Sequence, residues 1–232
     1  NIPIFSYQPR QGFKISQKTK IFFDKQQVHH MDIVLNVNHP DYPLSNKIYV
    51  MSHAEKTLTC DNIVWMDSDS VVWNEPIQFF DEDNFDVGMV PVFKKFAWAV
   101  LESDENFKYW KRMFEVIPSI GPRRYIRTVV GNKKALAYYN SGLIISKRKT
   151  NFLQKNASNF DRLMTEDQNF FKQHFVEQAL YAVTAQNMDI KFEELERGYN
   201  YPLYSHGHVT NPDYKLNSLD EVITGHYTIL FK

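Results

Sequence analysis

The run Ile63-Val64-Trp65-Met66-Asp67-Ser68-Asp69-Ser70 leads an apolar stretch directly into two carboxylates one residue apart. Two acidic groups at the tip of a buried strand repel each other and titrate abnormally without a cation. A hard divalent ion with oxygen ligands, Mn²⁺ or Mg²⁺, removes that repulsion, and phosphate oxygens readily complete its shell. In open α/β sheets ligands bind beyond the carboxyl ends of the strands, the place this pair occupies. The competing reading is a plain turn, where Asp and Ser are favoured because they hydrogen-bond nearby backbone. The apolar strand before the pair and Trp73 after it favour the metal seat.

Other groups carry weaker signals. His206 and His208 flank Gly207 and would share one face of a strand; loop histidines are more often simply solvated. His29 and His30 are expected at a helix end, where protonated imidazole suits the dipole. Residues 118–137 hold Arg123, Arg124, Arg127, Lys133 and Lys134 without clear periodicity, which predicts a long loop or lid. Its arginines form either a solvated face or a grip on phosphate or an anionic acceptor. Trp65 and Trp73 are expected in the core. Trp98 and Trp110 are expected to flank an acceptor groove, since an aromatic face stacks on apolar C–H groups of sugars.

The scaffold for these groups follows from the alternation of strand-length apolar runs with helical spacing. Strands are predicted over residues 2–7, 32–35, 63–66, 85–93 and 143–146, with short ones near Ile190 and within 222–230. Helices are predicted over 13–30, 46–59, with Asn46 as N-cap, 103–117, 150–164 and 167–187. The continuous run at 63–66 suits a strand buried on both faces. Alternation of this kind favours an α/β fold with a mostly parallel central sheet flanked by helices.

A chain of 232 residues, 43% hydrophobic and 23% charged, is globular and suits one domain. Its 27 basic and 27 acidic residues cancel, so no global field draws nucleic acid or an anionic membrane, and any anion binding must come from local arrangement. The single cysteine, Cys60, excludes an intramolecular disulfide scaffold and is expected to be a small buried residue. No apolar run is long enough to span a bilayer, so no integral membrane segment is expected. The expected location is the cytoplasm. The triplet Asn156-Ala157-Ser158 is a glycosylation sequon, and a lumenal protein whose anchor preceded Asn1 is the alternative.

Four blocks in order resemble the glycogenin-like, galactosyltransferase-like retaining glycosyltransferases of the GT-A, or nucleotide-diphospho-sugar transferase, fold. They are Asn46-Lys47 with the Asp67-Ser68-Asp69 motif and Asn74-Glu75-Pro76-Ile77; Tyr139-Asn140-Ser141-Gly142-Leu143-Ile144-Ile145; Glu177-Gln178-Ala179-Leu180; and Gly225-His226-Tyr227 with Lys232. They span roughly residues 46–232. The resemblance implies that Asp67, Asp69 and His226 ligate Mn²⁺ or Mg²⁺. It implies that Tyr7, Lys47, Ser68, Gly142 and Lys232 contact the donor, with Lys47 at its phosphates or ribose and Lys232 at its diphosphate. Glu177, Gln178 and Asn140 would line the reacting centre. About residues 1–93 would form the nucleotide-binding part of one domain and about 94–232 the acceptor-binding part. Two positions depart from the family pattern: Ile229 replaces a glycine and Glu177 an aspartate. In the N-terminal block, only Tyr7 and Gly12 match.

The chemistry so implied is transfer of a sugar from a nucleoside-diphosphate donor, with UDP as the expected base, to a carbohydrate or other hydroxyl acceptor. The four blocks favour retention. An inverting route needs a carboxylate base on the opposite face, for which Glu166, Asp167 and Glu177 are candidates. Two further readings stand beside these. Asp67-x-Asp69 after an apolar strand also resembles the nucleophile motif of haloacid-dehalogenase-like phosphatases, though no Gly-Asp or Asp-Asp pair follows downstream. A non-catalytic carbohydrate-binding protein on the same fold is the other.

Overall fold

The computed structural model describes residues 2–227 apart from 10, 13, 82, 96, 97 and 120. In chain order the elements are β1 (Ile4–Gln8), α1 (Gln17–Lys25), β2 (Val28–Asp32), α2 (Ser45–Thr57), β3 (Asn62–Met66), β4 (Ser70–Val72), β5 (Val87–Pro91) and α3 (Phe107–Val116). They continue with β6 (Tyr125–Arg127), β7 (Lys134–Leu136), β8 (Tyr139–Lys147), α4 (Phe152–Glu166), α5 (Val176–Gln186), β9 (Phe192–Glu194), β10 (Tyr201–Pro202) and β11 (Thr224–His226).

The central sheet has the order β3-β8-β5-β9. Three of its strands run one way; β8 runs the other and lies between β3 and β5, so two of the three pairings are antiparallel. Alternation along β8 divides the core. Ile144 faces a cluster shared with α2, α4 and α5, whereas Leu143 and Ile145 face a second cluster with Val90, Tyr199, Tyr201 and Val222. Burial on both faces is therefore the property of β8. The acid-bearing strand β3 is an edge strand, and of its five residues only Ile63 is fully buried. A smaller sheet, β10-β11-β4, continues from the end of β3, and β1 pairs with β2 in parallel.

Several local expectations change. Residues 28–30, predicted helical, belong to β2, so His29 and His30 lie on a strand, and the strand predicted over 32–35 instead ends at Asp32. Asn46 lies inside α2 rather than capping it, and its Oδ1 accepts a bond from Asn36. The predicted 167–187 helix is interrupted at Phe175, whose φ of 62° cannot continue a right-handed helix. The 118–137 stretch is not an irregular lid, because β6 and β7 pair as an antiparallel hairpin with Ile126, Ala135 and Leu136 buried. Arg123 packs against Phe107 and Phe114 and pairs with Glu102, while Arg127 donates to Asn132 O.

The tryptophan expectations reverse. Trp98 and Trp110 are buried, their N–H groups satisfied by His174 O and Trp98 O, whereas Trp73 is 58% exposed. Trp65 is half-buried. His206 and His208 sit in a 3₁₀ segment, with His206 bonded to Tyr201. Cys60 is half-buried and free. Asn156 is buried in α4 and accepts from Thr184, so the folded chain offers no glycan site there.

α4 starts without a side-chain cap of its own. Buried Glu55 of α2 supplies one, accepting from Leu153 N (3.1 Å) and Gln154 N (2.7 Å). Those amides are orphan donors at a helix start, where a carboxylate also suits the dipole. This contact locks α2, which carries Lys47, onto the helical layer behind the sheet.

Candidate metal centre

The β3–β8 ladder ends by setting the first acid: Asp67 N donates to Gly142 O at 2.9 Å. The chain turns through Ser68 and Asp69, closed by Ser70 N donating to Asp67 O (3.1 Å), and enters β4. β4 pairs antiparallel with β11, placing Ser70 opposite His226. Tyr227 N extends the pairing by donating to Asp69 O (3.0 Å). This register brings His226, 157 residues away in sequence, to Asp69, with Nε2 3.0 Å from Oδ1. One ligand atom each from Asp67, Asp69 and His226 lie within 4.8 Å of one another. The Asp67 and Asp69 side chains are 24% and 35% exposed, so the centre opens to solvent on its carboxylate side.

Neither carboxylate stands alone. Lys47 Nζ bonds both oxygens of Asp67 (2.8 and 3.0 Å) and also donates to Ser141 Oγ (3.0 Å). Trp65 Nε1 donates to Asp67 Oδ1 at 2.7 Å. Lys47, expected at the donor's phosphates or ribose, is thus paired with a metal-ligand candidate. The lysine and the imidazole compensate the acid pair, and the repulsion inferred from spacing alone is smaller than two bare charges would give.

Behind the acids lies a scaffold that position-by-position reading did not find. An ideal Cβ on Gly142 would sit 2.6 Å from His226 Cε1 and 2.7 Å from Nδ1. The missing side chain is what admits the imidazole, which is buried, lies edge-on to Phe93 and has its Nδ1 unpartnered. Asn140 Oδ1 accepts from Gly142 N (2.8 Å) and from Asn200 Nδ2 (2.9 Å). Asn200, buried with φ of 44°, in turn donates its N–H to Thr224 Oγ1 at the start of β11. One chain of bonds therefore links the strands that deliver Asp67 and His226. The signal available beforehand was Asn200 itself, two residues after Gly198, since asparagine is among the few residues that visit left-handed backbone readily.

Glu177 and Gln178 lie in the first turn of α5, both buried. Glu177 Oε2 accepts from Tyr42 OH (3.0 Å), and Oε1 has no partner. Burial pushes its carboxyl up to about 7, offset in part by the nearby Lys47 charge. Tyr7 bonds His53 on α2 (3.3 Å), and Ser68 is exposed, its carbonyl accepting from Tyr227 OH. The structure thus gathers Asp67, Ser68, Asp69, His226, Lys47, Asn140 and Gly142, sets buried Glu177 behind them within reach of the Lys47 and Asp67 charges with Gln178 next to it in the chain, and engages Tyr7 elsewhere. Lys232 and Ile229 lie outside the described residues.

Two clefts flank β9 instead of this centre. One of about 450 Å³ is lined by Arg124, Tyr125, Tyr139, Phe192, Glu193 and Glu194. The other, about 410 Å³, shares Glu193 and Glu194. Neither contains a residue expected at the site, and the ligand-bearing geometry at the ends of β3 and β11 outweighs their volume as a guide to chemistry.

Residues 2–189 match the family described as the Rhodobacterales glycosyltransferase domain. Among solved structures the chain is similar to the galactosyltransferase LgtC in complex with donor and acceptor sugar analogs. The TM-score is 0.53 and the identity 13%, over 87% of this chain and 66% of that one. It is also similar to mouse xyloside xylosyltransferase 1 in its apo form, with a TM-score of 0.51 and 10% identity over 92% of this chain and 81% of that one. The chain thus spans just under two thirds of the length of LgtC. No curated protein matches it in sequence. The structural similarities establish the GT-A fold.

Proposed function

The chain belongs to the Rhodobacterales glycosyltransferase domain family and is a glycosyltransferase; from that premise we propose that it moves a sugar from a nucleoside-diphosphate sugar, with UDP as the preferred carrier, to a hydroxyl acceptor at a divalent cation held by Asp67, Asp69 and His226. The observation that carries this reading is the convergence of those three side chains within 4.8 Å at the joined ends of β3 and β11. Two carboxylate donors and one imidazole suit Mn²⁺ or Mg²⁺, and the solvent-open carboxylate side leaves room for phosphate oxygens. Family membership removes the phosphatase and non-catalytic readings.

A cation in that seat supplies Lewis-acid compensation for the charge that grows on a departing diphosphate. Lys47 adds a fixed ammonium, nearly buried, where charge is most effective. It reaches the phosphates by shifting from Asp67, and Ser141 Oγ steadies it on the way. Lys232 is proposed as a second phosphate contact. Asn140 and Gly142 hold the seat in register, while Tyr7 and Ser68 bound the donor. Residues 1–93 then form the nucleotide-binding part and 94–232 the acceptor-binding part.

Retention is the favoured stereochemistry. An inverting enzyme needs a carboxylate facing the acceptor. Asp167 is taken up by Arg112 (3.0 Å) and by Asn169, Glu177 has no exposed surface, and Glu166 lies at the C-terminal end of α4. In a retaining route the leaving phosphate accepts the acceptor's proton, and the Gln178 amide steadies the sugar cation.

The deciding experiment is a thermal-shift screen of UDP-, GDP- and TDP-sugars with and without Mn²⁺. A shift for the UDP-sugar that needs the metal is expected, by binding linkage. No metal-dependent shift with any of the three would sink the donor and metal assignment together.

A further inference from the structure

The chain is neutral overall, yet its first 30 residues carry Arg10, Lys14, Lys18, Lys20 and Lys25 against one acid, Asp24. They also hold four of the most exposed large apolar side chains, Ile2, Ile4, Ile21 and Phe22. α1 joins the two features. It buries none of its residues, and Ile21 and Phe22 are 59% and 58% exposed. Positions 18, 21, 22 and 25 share one helical stripe by their three- and four-residue spacing, and Lys14 lies in the segment just before the helix. All five are exposed, so the stripe reads Lys-Ile-Phe-Lys toward solvent, with Lys14 ahead of it. The helix docks by another side, where the Phe23 ring lies 5.8 Å from His30 of β2. Among the described residues, the lysines that form ion pairs are Lys47, Lys95, Lys108 and Lys147, and none is from this stripe.

We propose that α1 is a surface anchor that seats the enzyme on a bilayer containing anionic lipid, with Ile21 and Phe22 entering the interface and Lys14, Lys18 and Lys25 meeting the headgroups. Apolar side chains flanked by basic ones on a solvent-facing stripe are the physical signature of interfacial helices, and each lysine near such a surface adds electrostatic attraction. A second exposed apolar patch, at Val72, Trp73, Ile77 and Phe80, is interspersed with Glu75, Asp81 and Asp83. Its charge has the wrong sign for the same surface. A purely electrostatic ligand such as a nucleic acid would make no use of Ile21 and Phe22, whereas an anionic bilayer engages both the lysines and the apolar pair.

The test is co-sedimentation of the full chain with phosphatidylcholine vesicles, pure or with about 30% phosphatidylserine. Pelleting only with phosphatidylserine, weakened by salt, is expected. The Ile21→Ser/Phe22→Ser pair should lower the bound fraction about 10-fold, Lys18→Glu/Lys25→Glu should remove the phosphatidylserine preference, and Trp73→Ser should bind as the parent does. Circular dichroism should show all variants folded, because the altered side chains face solvent. Equal binding to both vesicle types, no binding to either, or undiminished binding of the Ser pair would overturn the proposal; the last would mark adsorption by lysines alone.

Discussion

Two carboxylate regions lie on either side of Lys47, and they behave as opposites. At the rim, Asp67 and Asp69 keep a quarter to a third of their side chains in solvent and are held by Lys47, Trp65 and His226. In the floor, Glu177 has no exposed surface, one hydrogen bond from Tyr42 and one bare oxygen. The rim can exchange its partners for a cation because water already reaches it. The floor cannot offer charge to a ligand without first overcoming desolvation, so its carboxyl leans towards the neutral form. Acidity in the sequence is thus not one signal, and its use depends on which end of a strand or helix carries it.

The largest effect that would break this contrast is at Asp69. Asp69→Ala is expected to lower transfer by about 10³-fold, the scale of losing several kcal/mol of charge stabilisation in the transition state. The fold should hold with a modest fall in melting temperature, because buried His226 loses its Asp69 partner while the pairing of Tyr227 N with the Asp69 backbone carbonyl is kept. Asp67→Ala should lose as much activity and also some stability, since Lys47 and Trp65 would lose their acceptor. Donor turnover and circular dichroism measure both. A fully active Asp69→Ala enzyme ends the case for the rim.

Next comes the floor, read through pH. Folded Glu177 keeps its proton to about 7, whereas the unfolded carboxyl releases it near its ordinary 4.5. Between those values the folded state binds more protons, so stability falls as pH rises, by up to roughly 3 kcal/mol from this group. Burial also raises Glu55 and Glu194, which add slope of the same sign. Glu177→Gln should remove only its own share, leaving a flatter profile in denaturant melts taken below and above the window. Parallel profiles for the two proteins would mean that Glu177 is charged in the fold.

Gly142 sharpens the comparison from behind. Gly142→Ala puts a methyl within 3 Å of the His226 ring. Overpacking of that kind costs about 1–3 kcal/mol. The imidazole is the group that must give way, so Mn²⁺ affinity, followed by titration calorimetry without donor, should fall about 10–100-fold. Unchanged affinity would place His226 outside the seat.

Much of the rim was legible because its code is local. An apolar strand running into Asp67-Ser68-Asp69 keeps its meaning whatever surrounds it, and the α/β alternation rests on periodicity. His226 came from resemblance, and its meeting with Asp69 depends on the β4–β11 register, which no local pattern states. Lys47 lies beside the acid pair, but its bond to Asp67 was not foreseen, since a pairing across 20 residues depends on how α2 docks through Glu55. Asn200, the Glu177–Tyr42 bond and the antiparallel insertion of β8 are likewise tertiary facts. The same limit explains the tryptophans, whose identical composition signal splits into buried and exposed roles only after the layers pack.

The smallest expected effect concerns Trp73, which the rim leaves in water. A tryptophan in a packed core costs about 3–5 kcal/mol on truncation, because transfer energy and a cavity are both lost; that is the expectation for Trp98→Ala, whose ring contacts Trp110 and Phe170. Trp73 is 58% exposed and follows β4, held through its backbone N–H to Ile223 O at 2.8 Å rather than through its ring. Replacing it by serine removes neither that bond nor a buried contact surface, so the stability change should stay within about 0.5 kcal/mol. Paired thermal melts of Trp73→Ser and Trp98→Ala decide the matter. Equal losses would mean that Trp73 packs into the core after all, and the solvent-open character of the rim, on which the exchange of Lys47 and His226 contacts for a cation depends, would have to be abandoned with it.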